Sequence, residues 1–310
     1  MNETAAPILV ALDPGSPCAA TEQLALAFAR ATGAEVVLAT VFPIIPLRSY
    51  VHSRHYERLL HEEADRLLES RAVRWRAAGT GIPVRTACTG SASAARGLHA
   101  LAREQGAALV VVGPSHRRGA GWTFPGPMGT RFAHGAPCPV AIAVGRVPER
   151  LERIGVAFAP TDEGRAALRA TAALAGRCGA VVRAISVAGA LPWMDVTLPE
   201  FDGATLPELY AGHLAYELEA AVRALPPGVT VETELAAGVP AEVLATASAG
   251  LDLLVCGSHG YGALGEVVLG STSHELLATA SCPVLIVPRA AATDDATAQA
   301  RDAQSRSLSA

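Results

Sequence analysis

The sequence predicts an α/β protein made of two copies of one parallel, doubly wound domain. Three observations carry this. First, the halves match. "ALVVVGPSHRRG" (Ala108 to Gly119) aligns with "DLLVCGSHGYGA" (Asp252 to Ala263), and "APCPVAIAV" (Ala136 to Val144) with "ASCPVLIVP" (Ala280 to Pro288). Gly113 to Gly257 and Cys138 to Cys282 are both spacings of 144 residues, too long for a solenoid repeat. Second, short apolar runs alternate with amphipathic segments, the pattern of strand and helix in turn. Third, runs such as "LVVV" and "VLIV" show no polar alternation, so they suit strands covered on both faces.

In chain order, the first half offers strands at Ile8–Leu12, Glu35–Phe42, Val84–Cys88, Leu109–Val112 and Val140–Val144. The second offers Ile154–Phe158, Val181–Val187, Val229–Leu235, Leu253–Cys256 and Val284–Val287. "ILVALDPGS" at the first strand is echoed by "IGVAFAPTD" at the sixth. Between strands, Tyr56, Leu59, Leu60, Ala64, Leu67 and Leu68 keep helical spacing, as do Leu214, Leu218, Val222 and Leu225. The boundary falls in "GRVPER" (Gly145 to Arg150). Residues 1–148 form the first domain, 149–290 the second, and 291–310, without bulky apolar anchors, a disordered tail.

Composition narrows the function. Half of the 310 residues are apolar, only 17% are charged, and the formal net charge is −4. Such a chain buries a large core and gives no reason to expect nucleic acid or a membrane as partner. The start, "MNETAAPILVALD", has no charged leader and reads as a cytoplasmic entry into a strand. The six cysteines form no CxxC pair and read as reduced packing residues. All 25 basic residues are arginine. Without lysine there is no Walker A loop, no lysine Schiff base and no protein-kinase arrangement.

The segment "VCGSHGYGALGEVVLGSTSHELL" (Val255 to Leu277) admits three readings. Gly260 to Gly265 matches G-x-G-x-x-G, but the acidic residue expected about 20 positions on, after the next strand, is missing, which argues against a dinucleotide. Alternatively, Gly257-x2-Gly260-x9-Gly270-Ser271 is a mononucleotide loop. Its backbone N–H groups would form an anion nest, and the next helix N-terminus would add partial positive charge. The hydroxyls of Ser271 and Ser273 would then face phosphate or cap that helix. The third reading is a plain turn with Ser271 or Ser273 as N-cap.

On "ILVALDPGS", "DLLVCGSHGYGALGEVVLGSTS", "CPVLIVP" and the repeat, the chain resembles the universal stress protein family in its tandem form. The resemblance covers both halves. It implies two Rossmann-like domains, each a five-stranded parallel sheet between helices, paired through their fifth strands about a pseudo-two-fold. It implies ATP as ligand, with Mg²⁺ on its phosphates. It makes Gly257, Gly260, Gly270 and Ser271 the phosphate loop, with the Thr272 backbone alongside, and gives Val187 a main-chain contact at the adenosine end. The family's Asp after the first strand is Ala159 here, with Asp162 close enough in sequence to substitute. In the first half Asp13 is kept and Val41 follows the second strand, but His116 and Pro127 replace a motif glycine and the motif serine after Gly126. Proline has no N–H to offer a phosphate. A slipped pairing would use Gly129 and Thr130. The first half therefore reads as a scaffold, with Arg117 and Arg118 as solvated cations.

Other residues are weaker candidates. His259 and His274 flank the loop without a defined proton relay. Asp252 opens a strand and could bind a metal, but reads first as an ordinary edge carboxylate. "WMDVTLPEFDGATLPELY" (Trp193 to Tyr210) reads as a loop leading to a helix, its carboxylates too irregular for a metal site. The leading expectation is a cytoplasmic ATP-binding regulatory module, with nucleotide in the second half. Domain pairing is intramolecular; a homodimer and an unidentified protein partner are left open. The alternatives are a slow ATP hydrolase or phosphotransferase, and a nucleotide-free interaction scaffold.

Overall fold

The computed structural model describes residues 5–13, 18–44, 50–113, 128–189, 205–258 and 269–288. The first half runs β1 (Ile8–Ala11), α1 (Ala19–Thr32), β2 (Val36–Pro43), α2 (Tyr50–Ala77), β3 (Val84–Ser91), α3 (Ala94–Glu104), β4 (Leu109–Val112), α4 (Met128–Ala133) and β5 (Val140–Ile142). The second repeats the order: β6 (Arg153–Phe158), α5 (Asp162–Cys178), β7 (Val181–Ala188), α6 (Leu206–Arg223), β8 (Val231–Ala237), α7 (Pro240–Ser248), β9 (Leu253–Gly257), α8 (Ser271–Thr279) and β10 (Val284–Val287). His116, Arg117, Arg118, Gly126, Pro127, His259, Gly260, the 193–204 stretch and the proposed tail lie outside the described residues.

All ten strands join one sheet in the order β3-β2-β1-β4-β5-β10-β9-β6-β7-β8. Every pairing is parallel except the central one. There β5 and β10 run antiparallel, with Val284 opposite Ile142, Leu285 opposite Ala141 and Ile286 opposite Val140. These six residues are all buried. Each half thus covers the other's exposed strand edge, as expected from the fifth strands.

The helices form two layers. Phe28 of α1, Leu68 of α2, Leu168 of α5 and Leu218 of α6 pack on one face. Leu101 of α3, Phe132 of α4, Leu244 of α7 and Leu276 of α8 pack on the other. Each apolar cluster runs across both halves, and α1 packs against α5. No described helix is long and apolar enough to cross a membrane.

β4 and β10 have the bounds read from the sequence, while other strand ends differ by one to a few residues. β5 stops at Ile142 because the linker turns at once: the Val144 N–H donates to the Ile142 carbonyl at 2.9 Å. Gly145 then takes φ +61°, and a Cβ there would lie 2.2 Å from the main chain of Ser281. Only glycine fits that combination. The Arg146 N–H donates to the Ser281 carbonyl at 2.8 Å. Asp252 accepts hydrogen bonds from the N–H groups of Glu152 and Arg153, both at 2.9 Å. It is therefore the anchor that holds the linker to β9, not an idle edge carboxylate.

All six cysteines are free. Burial pushes the Cys138 and Cys256 thiols up to about 12, so they are packing groups and not nucleophiles.

Candidate nucleotide-binding cavity

In the second half β6 ends short of its neighbours. Its ladder to β7 stops at the Phe158–Ser186 pair, while β7 continues along β8 through Val187 and Ala188. Its ladder to β9 stops at the Ala157–Cys256 pair, while β9 continues along β10 to Gly257. The sequence changes direction across the sheet at β6, since β7 lies on one side and β9 on the other. A crevice beyond the carboxyl ends of such strands is the usual ligand position in open α/β sheets. Here it is a cavity of about 360 Å³, within the usual span for small-ligand sites.

The wall has two characters. Phe158, Ile185, Val187, Leu244 and Cys256 make one part apolar. Thr161, Glu163, Gly257 and the Gly270–Ser273 turn make the rest polar or bare backbone. Val187 stands one step past the last β6–β7 partner pair and lines the cavity. Among the described lining residues there is no basic side chain.

Polar character at the far end comes from helix termini. Gly270 is the N-cap of α8, in extended conformation and without a side-chain cap. This corrects the reading of Ser271 or Ser273 as N-cap: both lie inside the first turn. The first bond of the helix runs from the His274 N–H to the Gly270 carbonyl at 3.0 Å. The N–H groups of Ser271, Thr272 and Ser273 are therefore outside the helical ladder, and they carry the positive end of the dipole. α7 also begins at the cavity, with Pro240 in its first turn and no side-chain cap at Val239. By contrast, α5 is capped by Thr161, whose hydroxyl accepts from the Gly164 N–H at 3.2 Å. Ser258, next to Gly257, is fully buried, and its Oγ has no hydrogen-bond partner among the described residues.

The structure brings together Val187, Gly257, Gly270, Ser271 and Thr272 around this cavity. Gly257 serves packing directly. A Cβ there would sit 2.7 Å from the Glu163 carbonyl oxygen, so glycine lets the first turn of α5 lie against β9. Ala159 lines the cavity. Asp162 is exposed and does not line the cavity, whereas Glu163 does. The sequence reading missed Glu163, Thr161 and α7, which reach the site through packing; Pro240 was the local sign of a helix start. His274 is exposed on α8. In the first half, Gly129 and Thr130 already lie within α4, so they do not reproduce the cap formed by Gly270.

The chain belongs to the universal stress protein family: the model of that family matches residues 5–143 and again 150–288. A universal stress protein of Mycolicibacterium smegmatis is 48% identical over 60 residues, 19% of this chain and 20% of its own length. The Bacillus subtilis universal stress protein YxiE is 48% identical over 62 residues, 19% of this chain and 42% of its own. The alignments thus span less than half the length of these curated relatives. Among solved structures, a universal stress protein from Archaeoglobus fulgidus superposes with a TM-score of 0.64 at 19% identity, covering 92% of this chain and 97% of its own. At that identity the likeness establishes the two-domain fold.

Proposed function

We propose that the second-half cavity binds ATP, with Mg²⁺ on the phosphates, and that the chain works as a nucleotide-binding regulatory module. The observation that carries this is the junction of an apolar slot with the uncapped start of α8, where the N–H groups of Ser271, Thr272 and Ser273 are outside the helical ladder. The base would lie on Phe158, Ile185 and Val187, with the Val187 main chain reading its edge. The phosphates would lie on Gly270, Ser271 and Thr272, with Gly260 closing the loop. Backbone N–H groups and a helix dipole suit a polyanion without a basic side chain. Glu163 takes over the hydrogen-bonding role that Ala159 cannot fill, accepting from the ribose hydroxyls. We place the domain boundary at residues 148 and 149, and the working compartment in the cytoplasm.

The test is Gly270→Val. Its extended φ of −66° is one that valine adopts without backbone strain, and the side chain would intrude on the phosphates; circular dichroism checks that the variant stays folded. ATP affinity measured by calorimetry should fall at least about tenfold, roughly 1.4 kcal/mol. Unchanged affinity would remove this loop from the function. Binding of this kind does not by itself favour a transition state. Phosphate release that persists in the native chain and vanishes in Glu163→Gln or His259→Ala would make it a hydrolase instead.

A further inference from the structure

His61, Asp65 and Cys88 meet on the half of the molecule that lacks the intact glycine loop. His61 and Asp65 are one turn apart on α2, and therefore share a face. Cys88 comes from β3, the edge strand of the sheet. The Cys88 Sγ lies 3.4 Å from the His61 Nδ1 and donates to the Asp65 Oδ1 at 3.2 Å. One donor atom from each residue falls within 4.8 Å of the other two. The Phe42 ring meets the His61 ring edge-on at 5.7 Å, which restricts how the imidazole can turn.

We propose that these three residues bind one divalent ion of the zinc class, with water as fourth ligand. Zinc bonds of about 2.3 Å to sulfur and about 2.0–2.1 Å to nitrogen and oxygen, in a tetrahedron, set donors roughly 3.3–3.6 Å apart. The two Cys88 distances are already near that spacing. Thiolate and imidazole exclude magnesium and calcium, which take oxygen ligands, and favour zinc or cobalt. The His61 and Asp65 side chains are 52% and 57% exposed, so an ion can enter without a conformational change. On binding, the thiol proton passes to solvent and the thiolate takes the metal; no electrons move.

The fold itself does not call for this cluster. By strand register Cys88 pairs with Thr40 just as Leu235 pairs with Ser186 in the other half, so leucine serves at the equivalent position. The cluster is also remote from the nucleotide cavity in the fold. Cys88 lies on β3 at one end of the strand order, whereas the cavity lies beyond β6, β7 and β9, on the other side of the β5–β10 seam. A bound ion would clip α2 to the edge strand, giving the first half a ligand of its own.

The experiment uses the full chain without an affinity tag, stripped with chelator and kept free of nucleotide. Zinc is titrated in competition with a chromophoric chelator, and cobalt is used as a spectroscopic probe. One zinc per chain is expected, with a thiolate-to-cobalt charge-transfer band. Loss of an outer-shell partner alone lowers affinity about 10–100-fold, so Asp65→Asn should lower it at least tenfold. Cys88→Ser should abolish the band, and Cys178→Ser should change neither. All three sites are at least partly exposed, and circular dichroism checks that the variants stay folded. Failure to bind zinc at micromolar concentration, or a cobalt band that survives Cys88→Ser, would overturn the proposal.

Discussion

Gly257 and Gly270 share one motif but carry different burdens. At Gly257 an added Cβ meets the Glu163 main chain, a contact present without any ligand. Gly257→Ala should therefore lower the stability of the nucleotide-free protein, by roughly 1–3 kcal/mol as in other overpacked sites. Thermal unfolding without ATP checks this; an unchanged Tm would mean that α5 moves aside at no cost. Gly270→Val should have the opposite profile, with affinity lost and stability lowered only by the poorer N-cap, about 1 kcal/mol. The sequence reading assigned both glycines to the phosphate. That Gly257 answers to α5 was not legible, because Glu163 is far away in the chain and only the folded sheet brings it near. The trio of His61, Asp65 and Cys88 was hidden for the same reason: the i, i+4 pair is visible on α2, but its partner arrives from β3.

Elements were more legible than residues. The strands β1, β4, β5 and β10 advertised themselves by uninterrupted apolar runs, since both faces are covered by helices. Strand ends were legible at β4 and β10 but not at β5, where the end depends on the turn at Gly145. Two contacts between elements lend themselves to measurement. The first is between α3 and α4, where the His99 Nε2 lies 2.8 Å from the Phe132 carbonyl oxygen. Burial lowers the His99 pKa below its ordinary 6.5, although the Phe132 carbonyl acts the other way. The unfolded chain therefore takes up this proton more readily. The group's contribution to stability is whole above 6.5, falls with acid, and levels off once the lower folded value is passed. His99→Gln should flatten the loss of Tm below that pH; parallel curves for the two proteins would exclude His99 as the titrating group.

The second contact is the β5–β10 seam. Ile142 is 2% exposed and faces the partner half. Ile142→Asp would bury a carboxylate with no partner designed for it, which should cost at least ~3 kcal/mol. The change should destabilise both halves together, because the apolar clusters on both faces run across the seam. Denaturant unfolding followed by hydrogen exchange would report this. Loss confined to residues of the first half would show that the seam does not couple them.

At the scale of the whole molecule, two domains of one family lie in a single chain and a single sheet, which holds each half beside the other at high effective concentration. The two halves differ in sequence at the loop. The second kept the glycine loop and an apolar slot beside it. The first replaced two motif positions with His116 and Pro127 and placed a thiol, an imidazole and a carboxylate together at the sheet edge. The central claim is that the halves are no longer equivalent toward nucleotide. Native mass spectrometry of the full chain with ATP and Mg²⁺ tests it most directly. One nucleotide per chain is expected, its occupancy lowered in Gly270→Val and unaffected by changes at His116. Two nucleotides per chain, or an occupancy unchanged in Gly270→Val, would contradict it.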